Sequence, residues 1–157
     1  GGAEPDWIGQ IAYVLWAVSG LCGMLGLIAL KATGTNTIVK LISFLPIVGF
    51  SLLIVGGVLG LTTVISDNDN WPINLGWLIE MVGVLMVGIF TIAAKTWSGW
   101  HKVVPLLCIL ILPGAFAVWR VTGLPGIVDV VAGIAWILLG YVVLARSASA
   151  PAQTSYA

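Results

Sequence analysis

The sequence predicts an all-α transmembrane bundle of five membrane-spanning helices, and three observations predict it. Five apolar runs fill most of the chain, nearly every charged side chain falls between them, and the basic residues sort into alternate gaps. A bilayer interior cannot hydrate backbone amides, so each run must close its own hydrogen bonds, and roughly 17 to 25 residues suffice to cross as a helix. Of the 6 Lys+Arg and 6 Asp+Glu, only Glu80 and Asp129 lie inside a run. With 60% hydrophobic residues, 8% charged residues and a mean hydropathy of +1.13, a chain of 157 residues has too little polar surface to wrap a water-soluble core.

The first run spans about 8–30, between the acids Glu4 and Asp6 and the base Lys31. The second spans about 41–65, from Lys40 to the turn Ser66-Asp67-Asn68-Asp69-Asn70. The third covers 72–94; Pro72 suits a first helical turn, where its missing N–H costs nothing, and Lys95 closes the run. The fourth, about 103–119, contains Pro113, which removes a backbone hydrogen bond and predicts a kink or a free carbonyl near Ile109. The fifth covers 124–145. Arg146 follows it, and the small polar stretch 147–157 reads as a disordered cytoplasmic tail of a single domain, 1–146.

Lys31, Lys40, Lys95, Lys102 and Arg146 occupy gaps on one face, against Arg120 alone on the other, so the first face is expected to be cytoplasmic. The amino terminus is then outside and the carboxy terminus cytoplasmic. A chain that starts outside, at Gly1-Gly2 and without a secretory leader, is expected to come from a six-crossing parent with both ends in the cytoplasm. Trp7, Trp71, Trp77 and Trp119 read as an outer aromatic belt, and Trp97 and Trp100 as an inner one beside the interfacial pair His101-Lys102. Trp16 and Trp136 lie deeper, where an indole N–H usually finds an acceptor.

Small residues recur at helical spacing: Ser19 and Gly23, then Gly49, Gly56 and Gly60, then Gly76, Gly83 and Gly88, and finally Gly133 and Gly140. In lipid, close approach along such stripes supplies the packing energy, so a compact bundle is expected. Glu80 shares a face with Gly76 and Gly83, and Asp129 one with Gly133, Trp136 and Gly140, which predicts that both acids point inward.

A rise of about 1.5 Å per residue sets Glu80 roughly 12 Å below Pro72 and Asp129 roughly 7 Å below Leu124, both in the outer half. An acid at mid-helix costs about 2.5 to 3.5 kcal/mol on insertion scales, so each needs protein, water, a partner or a proton. If Arg120 pairs with one carboxylate, the other is left desolvated beside a negative charge and can load and release a proton. The candidate site is therefore a polar intramembrane cluster of Glu80, Asp129 and Arg120. Gln10, Tyr13, Asn74, Trp77 and Trp119, with Thr62 or Thr63, stand at similar depth as its lining. The competing reading is a structural cluster that fixes helix register.

Several chemistries lack their residues. One His rules out paired imidazole ligation and HExxH metal sites, and no lysine lies deep enough for a Schiff base. Phosphate-loop and nucleophile-elbow motifs do not occur. Cys22 and Cys108 sit in different runs and read as small core hydrophobes. No catalytic residue, metal site or cofactor is expected. A net charge of zero and a pI near 6.7, without a basic cluster, offer nothing to nucleic acid. The expected partners are membrane lipids and other membrane protein subunits.

The stretch Gly76-Trp77-Leu78-Ile79-Glu80 through Gly83 and Gly88, then Thr96-Trp97-Ser98-Gly99-Trp100 and Pro105-Leu106-Leu107, resembles the small uncharacterised integral membrane proteins common in bacteria. In those, glycine-rich helices alternate with short Trp- or Arg-bearing cytoplasmic turns. The resemblance implies a bacterial cytoplasmic (inner) membrane and is silent on activity. The leading expectation is a non-enzymatic accessory or assembly component, and the alternative is a small transporter or proton-coupled carrier using Glu80 and Asp129.

Overall fold

A computed structural model describes residues 7–62, 70–123 and 127–148, without the surroundings of Gly9 or the side chains of Ile8 and Asp129. The described residues are helical, with no strand among them: α1 Trp7–Ala29, α2 Thr37–Ile42, α3 Leu45–Leu61, α4 Trp71–Ala94, α5 Val104–Thr122 and α6 Ile127–Ala148. A 3-10 turn, Gly99–Val103, leads into α5. Five stretches are long and apolar enough to cross a bilayer, with α2 and α3 together forming one of them, so the chain is a multi-pass membrane protein.

The second crossing departs most from expectation. It starts at Thr37, not Leu41, because Asn36 Oδ1 accepts the N–H groups of Ile38 and Val39, at 2.9 and 3.4 Å, and caps the helix. It then breaks at Ser43-Phe44. Pro46 has no N–H to give the carbonyl of Ile42, so the chain restarts as α3 with that proline in its first turn. Residues 63–65 of the predicted run lie outside the described residues. The fourth crossing runs past Trp119 to Thr122 and is continuous through Pro113. It stops at Gly123, whose φ of 65° lets its N–H reach Trp119 O at 2.8 Å. Ser147 and Ala148, expected in the tail, are the last residues of α6. The predicted start of the fifth run, 124–126, and the rest of the tail, 149–157, are outside the described residues.

Helices adjacent in sequence are adjacent in space. α1 packs on α3, α3 on α4, α4 on α5 and α5 on α6, and α6 returns to α1, closing a ring. Glycines set the spacing, most tightly between α3 and α4. A Cβ on Gly49 would stand 2.5 Å from the backbone N of Glu80, one on Gly83 2.5 Å from the N of Pro46, and one on Gly76 2.8 Å from Leu53 Cδ2. Gly88 meets the backbone of Leu106 on α5, and Gly20 admits the edge of the Phe50 ring. Two expectations are corrected here. Gly133 and Gly140 have nothing within 4 Å, because the inward face of α6 is Ala132, Ala135, Trp136, Leu139 and Val142. Cys22 is exposed on the outside of the ring, while Cys108 is buried and donates to Ala135 O at 3.4 Å.

The end that carries Lys31, Lys40, Lys95, Lys102 and Arg146 is tied together by hydrogen bonds. Thr96 Oγ1 donates to Ala32 O at 2.6 Å, and Ser43 Oγ donates to Thr33 Oγ1 at 3.3 Å. Arg146 reaches from α6 across the α4–α5 connection, donating to Ser98 O at 2.9 Å and meeting His101 Nδ1 at 3.0 Å. A guanidinium only donates, so Nδ1 accepts and the ring proton of His101 sits on Nε2. The same guanidinium lies 5.9 Å from the Trp97 ring centre. Trp97 is therefore buried beneath Arg146, and His101 is engaged by Arg146 and lies against Trp100 with the rings tilted by 44°.

Two outcomes follow from this packing. Gly49→Ala forces a methyl into backbone and should lower stability in detergent by about 1–3 kcal/mol, whereas Gly140→Ala, facing open space, should be neutral or gain up to about 1 kcal/mol. Thermal unfolding of the two variants checks this, and equal melting would contradict the α3–α4 contact. Arg146→Ala should speed tryptic cleavage after Lys95 and Lys102 by loosening their connection; an unchanged cleavage rate would deny Arg146 its clamping role.

Candidate functional site

The interior of the ring is aromatic, and Trp16 is its hub. Its indole stacks on Trp77, with centres 5.2 Å apart, and meets Phe50 and Trp136 edge-on at 5.9 and 6.4 Å. Phe50 and Trp136 touch in turn at 5.3 Å. Four helices thus meet through four rings, an arrangement that aromatic quadrupoles favour when the faces are offset or tilted. Trp77, expected in the outer belt, is drawn inward because α4 presents its Gly76–Glu80 face to α3 and the interior.

Beside this hub is a chamber of about 430 Å³ between α1, α4, α5 and α6. Tyr13 and Trp16, one turn apart on α1, form one wall; Trp77 forms the second; Leu112 and Phe116, i and i+4 on α5, form the third, and Ala132 of α6 the fourth. Ala12 and Val128 complete it. The volume lies within the range of small-molecule sites.

Glu80 stands one turn below Trp77, about 4.5 Å deeper along α4 and roughly 13 Å from the first residue of that helix. It is 1% exposed, and its Oε2 is buried without a hydrogen-bond partner. Its burial and its backbone contact with Gly49 turn it toward the ring's interior, and its carboxyl is near enough to Tyr13 on α1 and Cys108 on α5 to interact electrostatically with both. Tyr13 Oη, with the Trp77 side chain beside it, and Trp16 Nε1 are likewise buried and donate to no acceptor, contrary to the expectation that a deep indole finds one. Two of these unmatched atoms, Tyr13 Oη and Trp16 Nε1, belong to residues that line the chamber, and Glu80 lies one turn deeper, outside its lining.

The other sequence-derived candidates separate from this centre. Arg120 is exposed in the last turn of α5, where a cation suits the helix dipole, and the pairing expected for it is not made by Glu80. Asp129 is the third residue of α6, about 3 Å past the first, so the two acids enter their helices to different depths. The Asp129 side chain, and with it any Glu80–Asp129 contact, lies outside the described residues. Gln10 is half-buried against Gly60; Asn74 and Trp119 are exposed, and so is Thr62. Thr63 is not among the described residues. Among the described residues, no three of His, Cys, Asp or Glu gather as a metal site.

Of the residues named from the sequence, Tyr13 and Trp77 line the chamber and Glu80 lies one turn below it; Trp16, Leu112, Phe116 and Ala132, which also line it, were not named as lining. The helical spacings Tyr13/Trp16 and Leu112/Phe116 were the available signal, but only the ring closure brings α1 and α5 to opposite walls of one space.

The fold is that of a multi-pass helical membrane protein, with an aromatic chamber and, one turn deeper on α4, the only buried carboxyl among the described residues, Glu80. Set against known families, curated proteins and solved structures, the chain matches none.

A buried carboxyl without a partner is a cost to the fold. Glu80→Met, similar in volume and apolar, should therefore raise stability in detergent, by about 1–3 kcal/mol. A variant that melts lower than the parent would mean that Glu80 is a structural tie, the register-fixing role.

Proposed function

We propose that this protein is a small, non-enzymatic carrier of a bacterial cytoplasmic membrane, in which Glu80 loads and releases a proton as the chamber fills and empties. The observation that carries this reading is the isolation of Glu80: a fully buried carboxyl on the α3-facing side of α4, with no cation or hydrogen-bond donor satisfying Oε2. A register-fixing carboxyl would be expected to hold partners, since buried polar networks stabilise only when their members are matched. An intramembrane acid that faces the bundle interior is by default a site of ion or proton traffic.

The surplus of bases at the Lys31/Lys95/Arg146 end supports an orientation with that end cytoplasmic and the amino terminus outside. The chamber then sits in the outer half, as the depth of Trp77 along α4 suggests. Bilayer lipids are the surrounding partner.

A second reading, an accessory subunit of a larger membrane assembly, draws on a separate observation. Gly133 and Gly140 of α6 have open space over them, a flank against which a helix of another subunit can pack closely.

Infrared difference spectroscopy of the protein in lipid tests the carrier reading. A protonated-carboxyl band that comes and goes as pH is cycled, absent in Glu80→Gln and retained in Asp129→Asn, is the expected result. A silent carboxyl region, or a band that survives Glu80→Gln, would overturn it.

A further inference from the structure

The chamber walls carry information beyond their volume. Tyr13, Trp16, Trp77 and Phe116 present aromatic surface from three helices, and no Lys, Arg or His stands among the lining. Ring faces are electron-rich and attract cations, most strongly where water is excluded. One turn below Trp77 and outside the lining is Glu80, a carboxyl without a counter-charge whose field reaches the chamber through low-dielectric surroundings. Trp77, Leu112 and Phe116 also line an apolar groove with Met81 and Pro113 on the outer surface between α4 and α5. Met81 and Phe116 are 42% and 47% exposed there. Chamber and groove share a wall, so a molecule dissolved among acyl chains meets that wall without passing through water.

We infer that the chamber binds a lipophilic organic cation of the quaternary ammonium, phosphonium or protonated-amine class, which enters from the bilayer between α4 and α5. The rings hold its charge and Glu80 is its counter-ion. An anion is opposed by the same carboxyl. A polyol would leave most of its hydroxyls facing hydrocarbon, since Tyr13 Oη and Trp16 Nε1 are the unmatched polar atoms of the wall. A neutral apolar molecule suits the walls but leaves Glu80 unused, and the experiment has to separate it from a cation.

This deepens the carrier reading, because cation and proton then compete for one carboxyl: the cation enters as the proton leaves, and charge balances. Binding should tighten as pH rises and fall away as Glu80 is protonated. The titratable groups facing Glu80 are Tyr13 from α1 and Cys108 from α5. α3 carries none, and Tyr141 and Arg146 of α6 are near its other end. Asp129, whose side chain is not described, is the remaining acid of α6.

The test uses the full chain in lipid nanodiscs, with empty discs as baseline. It titrates tetraphenylphosphonium and the similarly shaped neutral triphenylphosphine oxide by calorimetry in two buffers of different ionisation heat. The expected result is phosphonium binding with proton release, weakened about tenfold or more by Glu80→Gln and about three- to tenfold by Phe116→Ala, with phosphine oxide indifferent to Glu80→Gln. Phe116→Ala, at a half-exposed wall position, keeps the test decisive if Glu80→Gln fails to fold. Equal binding of the two probes, or phosphonium binding unmoved by either substitution, would overturn the inference. A titrating Glu80 band alongside such unmoved binding refutes the cation and leaves the proton reading standing. Glu80-dependent phosphonium binding without a titrating band does the reverse.

Discussion

The contact on which the rest of the molecule depends is the backbone approach of α3 to α4. Gly49 sits against the N, Cα and Cβ atoms of Glu80, Gly76 against Leu53, and Gly83 against Pro46. In lipid there is no hydrophobic drive to hold helices together, so dispersion between closely set backbones must supply it. The same contact fixes the rotation of α4 about its axis. With Gly76, Glu80 and Gly83 turned to the partner helix, neither Glu80 nor Trp77 can rotate out to lipid without breaking the seam.

From that rotation the centre follows. Trp77 meets Trp16, Trp16 meets Phe50 and Trp136, and rigid rings of this size do not fill the space down to the neighbouring α5. The chamber is what large flat side chains leave between α1 and α5. Its chemistry is unusual for a membrane interior in one respect: the charge-bearing group is buried, and the one base on that side, Arg120, remains at the surface. A low dielectric strengthens whatever eventually partners Glu80, for the same reason that it makes the unpaired state costly.

The basic end of the bundle is held by side-chain ties. At the basic end, connections are short and cross-tied, through Asn36 as a cap, Thr96 to Ala32, and Arg146 over Trp97 and onto Ser98 and His101. Lys95 caps α4 in the left-handed region at φ 53°, a conformation that a side chain adopts at some cost and that the surrounding ties must hold. Toward the other end, Asn70 Nδ2 donates to Gly56 O at 3.0 Å, and the chamber lies between α1, α4, α5 and α6.

The number of crossings, their order and their approximate bounds could be read from the sequence, because hydropathy and the demand for internal backbone hydrogen bonds are local properties of each run. So could the inward placement of Glu80, through its helical spacing from Gly76 and Gly83. The break at Ser43 was harder to see, since it depends on Pro46 denying a bond to Ile42. The partners of each side chain were not legible at all. Gly133 and Gly140 carry the same spacing as Gly76 and Gly83 yet face open space, and Cys22 is as apolar as Cys108 yet sits outside. In lipid both faces of a helix are apolar, so composition no longer distinguishes inside from outside. Only the closure of α6 onto α1 decides which residues meet, and so sets Trp16, Trp77 and Phe116 around one space above Glu80.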